Sequence, residues 1–571
     1  MVKTVDPVKN IKNQEITKAI YFIAFIIIAN ILLQYFYFRI DLTKDKRFKL
    51  SQPTKELLGK IDDKVYIRVY IDGDLPPGFR KLQESTRQTL DEFRIVSGKK
   101  IEYIFIDPLE SKSAEDQKNI MNQLIDQGLE PINLEVVSKG KKTEKIVFPG
   151  AVVFYKNKYL PVKLLQQQIG VSPEQVIHNS ITNIEFNFIS TLKKLSTGKI
   201  KSIAFIQGHG ELEERATIDI FNTLKGFYNV EIIDLPKYKV GVLDKFDLAI
   251  IAKPTTSFDE LEKYKIDQFV MKGGKVIWLV ESLLAEIDSL GSTGFTNSLD
   301  YDLNLNDMFF KYGVRVNYDL VQDIQCHLIP LITNQGNPQR DFRPWIYYPV
   351  VFPAKSHPIV NKLNAVLFQF ASSIDTVGNK NLKKTVLLTS SPTSRLVYHP
   401  VNISLAETRT EPNMSLFNKG NRILAVMVEG TFSSVFKNRV SPETINSNEY
   451  GKFLAQSVPT SMLFISDGDV IANQFSRIRE ETYALGYDRF TNQTFGNKTF
   501  ILNAVDFLID DSKIMTLRTK DYKLRLLDKT KIKREKSKWQ FINLGFPLIA
   551  IILSALIFNY YRKNKYSKVK K

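Results

Sequence analysis

Residues 203–214 read IAFIQGHGELEE, an apolar run that passes through a histidine between two glycines into an acidic helix start. A strand that delivers a polar residue on a glycine turn to the beginning of a helix is typical of α/β proteins, whose nucleophiles and phosphate cradles occupy such turns. The motif therefore predicts an α/β fold. It also raises the question of whether Gln207, Gly208, His209, Gly210 and Glu211 form a ligand or interaction site.

The GHGE loop, residues 208–211, lacks what the usual chemistries need. A nucleophile elbow presents a serine or a cysteine on the turn, and this loop contains neither. A bound phosphate would compete with Glu211, Glu213 and Glu214, which already complement the helix dipole. His209 and Glu211 could supply two metal ligands, but their spacing is not diagnostic. The pattern favours a structural or interaction role, and we assign no catalytic residue, metal or cofactor.

The segments after this loop alternate between strands and helices. Strands at KIKSIAFIQ, NVEIIDL, FDLAIIAKP and KVIWLVE enclose helices at RATIDIFNTLKGF and DELEKYKIDQFVMKGG. This order predicts a doubly wound parallel sheet with helices on both faces, in a large α/β domain over residues 196–520. Later strands at KKTVLLTSS, RILAVMVEG and TSMLFISDGD either complete the sheet or form a second lobe. The proline-rich stretches after about residue 300 are interpreted as irregular.

A smaller α/β domain is predicted over residues 50–165. Strands at KVYIRVYIDG and KIEYIFIDP flank a helix over residues 79–98, which makes a βαβ unit with a parallel pair. A further helix and a strand pair complete it. Residues 172–195 carry apolar side chains at helical spacing and are predicted to form a helix that bridges the two domains.

Two uncharged apolar segments predict a transmembrane helix at each end of the chain. Residues 19–38 and 539–561 are each long enough to cover the roughly 30 Å hydrocarbon core of a bilayer. Aromatic residues at the ends of the second segment match an interfacial belt. The polar side chains within the segments are candidates for hydrogen bonds to other transmembrane helices: Asn30, Gln34, Asn543 and Ser554.

The net charge of +18 lies almost entirely beside these segments. Basic residues concentrate in the four segments 1–18, 39–49, 523–538 and 562–571, which removes the main support for a nucleic-acid partner. The positive-inside rule then predicts a cytoplasmic N terminus over residues 1–18 and a basic cytoplasmic tail over residues 562–571. An extended basic juxtamembrane segment is predicted over residues 521–538, and the body between the spans on the far side of the membrane.

Two other features are candidates for a reactive or metal-binding site. The single cysteine, Cys326, lies beside His327, but neighbouring side chains on extended backbone point apart and form no dyad. The sequence DGD occurs twice, at residues 72–74 and 467–469. Paired carboxylates can bind Mg²⁺ or Ca²⁺, yet aspartate and glycine are also the usual turn residues, so both segments are predicted to be turns.

Motifs along the whole chain are shared with a known family. They include RIDLTKDKRFKLS, HNSITNIEF, IAFIQGHGELEE, NLNDMFFKYGVRVNYDLVQD, VEGTFSSVFKNR, SDGDVIANQF and GYDRFTNQTFGNKTFILNAVDFLIDD. The chain resembles the GldG family, the auxiliary subunits of gliding-motility ABC transporters of Bacteroidetes-type bacteria. The resemblance implies an inner-membrane protein with a large periplasmic region, whose partners are ABC permease and ATPase subunits. It also implies that the polar anchor residues face permease helices: Asn30, Gln34, Asn543 and Ser554.

The expected function is therefore that of a non-catalytic auxiliary subunit that presents an α/β body to a periplasmic partner or cargo. One alternative is a periplasmic ligand-binding subunit with its site at the GHGE loop, where doubly wound sheets bind ligands. A divergent hydrolase or amidotransferase is the other alternative, although the sequence lacks its nucleophile.

Overall fold

The fold is taken from a computed structural model. It describes residues 7–35, 50–110, 113–138, 141–196, 201–332, 340–354, 357–378, 381–439, 452–476, 479–510, 512–519 and 529–567. The chain divides into two units, residues 1–520 and residues 521–571. The first unit begins with helix α1 (Pro7–Tyr35) and continues into two α/β lobes, here called the first lobe (residues 50–196) and the second lobe (residues 201–519).

The first lobe is built on a four-stranded sheet. Its elements are α2 (Gln52–Gly59), β1 (Val65–Val69), α3 (Pro77–Val96), β2 (Ile101–Phe105), α4 (Ala114–Asp126), β3 (Ile132–Ser138), β4 (Lys141–Val147), β5 (Gly150–Tyr155), β6 (Lys158–Lys163) and α5 (Pro173–Ser196). The strand order is β2-β1-β5-β6. Strands β1 and β2 are parallel and joined by α3, which confirms the predicted βαβ unit.

Helix α5 packs on the helical face of this lobe. Its buried side chains Ile184, Phe188 and Leu192 share one core with Phe93 of α3, whose ring lies edge-on to that of Phe188 at 6.4 Å between centroids. Apolar residues at helical spacing thus bury one face of α5, as the sequence pattern predicts. The same core includes Met515, so the C-terminal end of the second lobe returns to the first.

The second lobe contains the main sheet. Its elements are β7 (Ser202–Gln207), α6 (Glu214–Lys225), β8 (Asn229–Asp234), β9 (Leu248–Ala252), α7 (Glu260–Met271), β10 (Lys275–Leu279), β11 (Leu283–Leu284), α8 (Ile287–Thr293), β12 (Phe295–Asn297), β13 (Leu299–Asp300), α9 (Asn306–Lys311), β14 (Val314–Val316), β15 (Asp319–Asp323), β16 (Cys326–Ile332), β17 (Arg340–Val351), β18 (Val366–Leu367), β19 (Ile374–Thr376), β20 (Lys383–Thr389), β21 (Ser394–Tyr398), β22 (Asn402–Ser404), β23 (Ile423–Gly430), β24 (Thr460–Ile465), β25 (Phe475–Ser476), β26 (Glu481–Thr482), β27 (Tyr487–Asp488), β28 (Gln493–Thr494) and α10 (Asn497–Ile509).

The main sheet has nine strands in the order β14-β19-β23-β24-β10-β9-β7-β8, with β20 also paired to β23. The five neighbours β8, β7, β9, β10 and β24 are parallel, which confirms a parallel sheet. Strands β23, β19, β20 and β14 add antiparallel pairs at one side, so the sheet as a whole is mixed. The late strands therefore complete the sheet.

The proline-rich stretch that we interpreted as irregular forms β17, a twelve-residue strand. Aromatic side chains drive this outcome, because Trp345 and Tyr347 are buried against Phe370 in a separate small core. At Pro344 the strand pairs with β16 alone, so the proline nitrogen can face the unpaired edge without loss of a ladder hydrogen bond. The prediction of an irregular stretch was wrong here, because proline is compatible with a strand at an unpaired edge.

Helix α7 is tied to the segment of the VEGTFSSVFKNR motif by a buried aspartate. Asp267 is fully buried and accepts hydrogen bonds from the Tyr312 hydroxyl at 2.9 Å, the Ser434 hydroxyl at 2.7 Å and the Val435 backbone N–H at 2.9 Å. The side-chain amide of Gln268 donates a fourth. Burial raises the pKa of Asp267, and these four hydrogen bonds to the charged form offset part of that effect.

The second unit contains helix α11 (Lys529–Ser567). Within its segment Lys531–Asn564, an 18-residue window has a mean hydropathy of 2.4, and the helix is long and apolar enough to cross a membrane. Residues 529–538 are helical rather than extended, because lysine, arginine and glutamate are good helix formers; residues 521–528 lie outside the described residues. In α1 the described apolar stretch, Ile16–Ile31, is shorter, and residues 36–38 are not described, so the first span stays a prediction.

Candidate functional site at the carboxyl edge of the parallel sheet

The loops that follow the parallel strands meet at one edge of the main sheet. Strand β8 lies on one side of β7 and strand β9 on the other, so the direction in which the chain winds reverses between β7 and β9. In open α/β sheets the carboxyl edge at such a switch point is where ligands bind. The GHGE loop follows β7 directly and therefore lies at this point.

The imidazole of His209 is enclosed in the GHGE loop. The residue is 1% exposed, and its ring stacks on that of Phe258 with 3.6 Å between centroids. Its Nδ1 lies 3.1 Å from Glu211 Oε1, and its Nε2 lies 3.1 Å from Glu262 Oε2 on α7. The Nε2 contact is a close charge pair without the alignment of a hydrogen bond. Two acidic side chains from different elements therefore converge on one buried ring.

This arrangement favours the charged form of the histidine. Burial opposes the imidazolium, but the hydrogen bond to Glu211 and the charges of Glu211 and Glu262 outweigh burial and raise the pKa of His209 above its usual value. The backbone N–H of His209 also donates to Glu211 Oε2 at 2.7 Å. The His209 side chain thus links the loop to Glu262 of α7, while Glu211 bonds His209 within the loop, and little of either side chain is exposed.

The backbone of the loop is equally constrained. Gly210 has φ of +69°, and a Cβ at this position would lie 2.1 Å from Thr255 Oγ1. The carbonyl of His209 accepts hydrogen bonds from the backbone N–H groups of Thr255 and the next residue at 2.8 and 3.0 Å. The Gln207 amide donates to the main chain of the same loop. Gly210 therefore lets the loop after β7 approach the loop after β9.

A second group of charged side chains lies at the same edge of the sheet. Lys253 follows β9, Glu281 follows β10, and Asp467 and Asp469 follow β24; these four residues are called the edge cluster below. Lys253 Nζ lies 2.8 Å from Asp469 Oδ2 and 3.4 Å from Glu281 Oε1. Oxygen atoms of the three carboxylates lie within 4.8 Å of one another. Glu281 and Asp467 are buried, whereas the Asp469 side chain is 20% exposed.

Backbone geometry brings the edge cluster together. Asp467 accepts hydrogen bonds from the backbone N–H groups of Gln369 at 2.5 Å and Asp469 at 2.7 Å. A Cβ on Gly468 would lie 2.3 Å from the Cβ of Lys253, so only glycine permits this approach. Lys253 itself has φ of +55°, in the left-handed region that a non-glycine residue rarely adopts.

The two DGD segments, which were both predicted to be turns, differ in the structure. Asp72 accepts hydrogen bonds from the backbone N–H of Gly73 and the amide of Gln83, as a turn residue does. Asp74 is exposed, with its nearest cationic partner, Arg80, at 3.9 Å. The second segment is also a tight turn, but its carboxylates join two other strand ends. Sequence spacing alone could not make this distinction.

Electrostatics in the edge cluster disfavour three separate buried anions. Burial raises the pKa of Glu281 well above its usual value and that of Asp467 to about 8, and the charge of Asp469 adds to both effects. The ammonium of Lys253 offsets only part of the shift. Removal of carboxylates from water is costly unless each is paired and hydrogen-bonded, so the cluster takes up protons or a cation at neutral pH.

The cysteine is placed in a different part of the lobe, in strand β16. Burial raises the pKa of the Cys326 thiol to about 12. The Nε2 atom of its neighbour His327 lies 3.2 Å from Asp488 Oδ2. Burial opposes ionisation of Asp488, but contacts with His327, Thr491 and Gln474 lower the pKa of its carboxyl below the usual value. The only cysteine of the chain is thus a neutral thiol, and its neighbouring histidine pairs with a carboxylate.

The predicted permease-facing residues lie on the two apolar helices. Asn30 is exposed on α1, and Gln34 belongs to the same helix. Asn543 and Ser554 are exposed on α11, where the Ser554 hydroxyl donates to the Ala550 carbonyl at 2.7 Å within its own helix. The serine oxygen can still accept a hydrogen bond from another helix, so the proposed role of these residues stays a prediction.

Two comparisons relate the chain to proteins whose function is not known. Residues 44–154 match the model of a domain of unknown function, DUF7088. An uncharacterized protein from Borreliella burgdorferi is 27% identical over 433 residues, which cover 73% of this chain and 78% of the relative.

Two solved structures share only a distant likeness. The mmIFT52 N-terminal domain is 14% identical with a TM-score of 0.30, and the match covers 54% of this chain and 97% of that structure. A thua-like protein from Parabacteroides merdae is 10% identical with a TM-score of 0.26, over 58% of this chain and 93% of that structure. Likenesses this weak say nothing about the function of the chain.

The decisive match covers the second lobe. Residues 200–504, more than half of the chain, match the model of an auxiliary family described as an ABC-type uncharacterized transport system. This range holds the parallel strands, the GHGE loop and the edge cluster. The chain therefore belongs to the family of ABC transport auxiliary proteins.

Proposed function

We propose that the chain is a non-catalytic auxiliary subunit of a gliding-motility-type ABC transporter, anchored in the bacterial inner membrane beside a permease and an ATPase. The observation that carries the proposal is the order within one chain: a transport auxiliary domain over residues 200–504 is followed by an exposed apolar helix of membrane-spanning length. The sequence has no P-loop, so ATP hydrolysis would come from a partner.

The proposed topology has two membrane spans, residues 19–38 and residues 539–561. The basic tail favours cytoplasmic termini, which would leave the two lobes in the periplasm for a protein partner or cargo. Two spans are too few for a translocation path. Permease motion would therefore reach the lobes mechanically, through the segments next to the membrane.

A non-catalytic role is supported by the carboxyl edge of the sheet. The GHGE loop carries no nucleophile, and the buried thiol of Cys326 has a raised pKa. The alternative of a ligand site at the GHGE loop has less support, because His209 and Glu211 are buried and bond each other, with His209 also facing Glu262 of α7. A divergent hydrolase has the least support, since the described residues include no serine or cysteine on the turn after β7.

The anchors provide the test of this proposal. In the full chain, both apolar segments are replaced by unrelated transmembrane helices, with the basic flanks unchanged, and the permease and ATPase that co-purify are quantified. We expect association to be lost. A narrower variant combines Asn543→Leu with Ser554→Ala, and Leu548→Ala on the same helix is its matched control. If the variant with both anchors replaced retains its partners in full, the anchors do not mediate association and the proposal fails in this form.

A further inference from the structure

The edge cluster has a composition that neither the family assignment nor the proposed function explains. We propose that Glu281, Asp467 and Asp469 bind a divalent cation that prefers oxygen ligands, with Ca²⁺ as the best fit. The inference is independent of the transporter assignment, because it concerns only side chains within one lobe.

The carboxylates of the edge cluster are close enough to share one ion. Their oxygen atoms lie within 4.8 Å of one another. Mg²⁺ demands near-ideal octahedral geometry, keeps several waters and is usually bound through one or two carboxylates, whereas Ca²⁺ accepts about six to eight oxygen ligands in flexible geometry. Three carboxylates in a largely buried cluster therefore favour Ca²⁺ over Mg²⁺.

One buried oxygen lacks a partner that a cation would supply. Glu281 is 1% exposed, and its Oε1 accepts the backbone N–H of Gly468 at 3.1 Å and faces Lys253. Its Oε2 is also buried, yet it has no hydrogen-bond partner among the residues that the structure describes. An unsatisfied buried carboxylate oxygen is costly, so this atom indicates a missing ligand rather than a complete hydrogen-bonded network.

The charge balance of the edge cluster also favours a bound cation. Three ionised carboxylates and one ammonium leave two negative charges, which one divalent ion would neutralise. The other charged or titratable groups that face the cluster are Glu286, 3.8 Å from Lys253, and Tyr301, whose pKa burial and the nearby acids raise.

Access to the cluster is open on one side. The Asp469 side chain is 20% exposed, and that of Glu286 is 49% exposed, so an ion can enter past these two carboxylates. Because the ion would displace protons, its affinity should rise with pH. Lys253, whose ammonium lies 2.8 Å from Asp469, would orient that carboxylate and limit the affinity for the cation by its own positive charge.

The test is calorimetric titration of the full chain in detergent after treatment with a chelator, with CaCl₂ and MgCl₂ as separate titrants at pH 6 and pH 8. We expect one Ca²⁺ per chain with Kd of about 10⁻⁴–10⁻³ M, as in extracellular calcium modules, weaker binding of Mg²⁺, and tighter Ca²⁺ binding at pH 8. Glu281→Gln should weaken Ca²⁺ binding at least tenfold. Asp74→Asn, in the other DGD segment, should leave it unchanged.

Circular dichroism and the thermal unfolding midpoint establish that each variant is folded. Absence of Ca²⁺ binding by the wild-type chain would overturn the proposal and identify the cluster as one that shares protons. Equal Ca²⁺ binding by wild type and a folded Glu281→Gln variant would also overturn it, since the ion would then bind elsewhere. Neither outcome depends on whether a permease or an ATPase co-purifies, so the transporter assignment would be unaffected.

Discussion

The role of the GHGE loop can be tested by substitution of its histidine. His209→Leu keeps apolar bulk against Phe258 but removes both contacts to carboxylates, which are 3.1 Å long in each case. Removal of one partner of a buried charge pair typically costs about 3–5 kcal/mol. Glu211 and Glu262 each retain a backbone N–H donor, at 2.7 Å, so we expect a loss near the lower end, about 3 kcal/mol.

The effect should depend on pH. The pKa of His209 is raised in the folded chain, so its contribution is fully present below its unfolded pKa of about 6.5 and is lost as pH rises through the higher folded value. The difference in stability between wild type and His209→Leu should therefore be larger at pH 6 than at pH 9. The assay is thermal unfolding of the full chain in detergent at both values. At no more than about 2–4 °C per kcal/mol, we expect a decrease of several degrees at pH 6.

The control for this experiment is Glu213→Gln, which changes an exposed carboxylate in the same acidic run and should leave the midpoint unchanged. An unchanged midpoint for His209→Leu at pH 6 would refute the reasoning. His209 would then contribute nothing to the stability of the loop, and the alternative of a ligand site at the GHGE loop would regain support.

Three further variants probe other parts of the second lobe. Asp267→Ala leaves four donors without their acceptor, and each unsatisfied buried group costs about 1–3 kcal/mol. Thermal unfolding should therefore show that the free energy of unfolding falls by at least about 3 kcal/mol. A decrease below about 1 kcal/mol would contradict the buried network. Gly468→Ala should lower the midpoint because its Cβ would lie 2.3 Å from that of Lys253, whereas Gly59→Ala, with no atom within 4 Å, should not. Cys326, whose pKa is raised to about 12, should react with iodoacetamide at pH 8 at least about 100-fold more slowly than free cysteine, and rapid alkylation of folded protein would contradict this placement.

Much of the fold could be predicted from local patterns. The helix predicted over residues 172–195 is observed at Pro173–Ser196, and alternating strands and helices predicted the parallel strands β7 to β10. These features depend on side-chain periodicity within one segment. Strand β24 follows β10 in the sheet although about 180 residues separate them, and no periodicity specifies such a neighbour.

The candidate site was predictable only in part. The GHGE loop was singled out by its glycines, but its acidic partner on α7, Glu262, lies about 50 residues away. The edge cluster was missed, although a signal existed: Lys253, Glu281 and Asp467 each follow a buried strand within two residues. Because carboxyl ends of parallel strands meet at one edge, charged residues in these positions can be expected to converge once the strand order is known.

The membrane part of the prediction is supported unevenly. Helix α11 contains a segment of spanning length, whereas the described apolar stretch of α1 is shorter. Composition predicts an apolar helix well, because hydropathy depends on the segment itself. Which helices face a permease depends on another chain, and no property of Asn543 or Ser554 alone can establish it.

The most direct test of the central claim is gentle detergent extraction of the tagged full-length chain at native expression, followed by mass spectrometry of the proteins that co-purify. We expect a permease and an ATPase in a fixed ratio to the chain. Recovery of the chain alone, under conditions that keep other membrane complexes intact, would contradict the proposal that it is a transporter subunit.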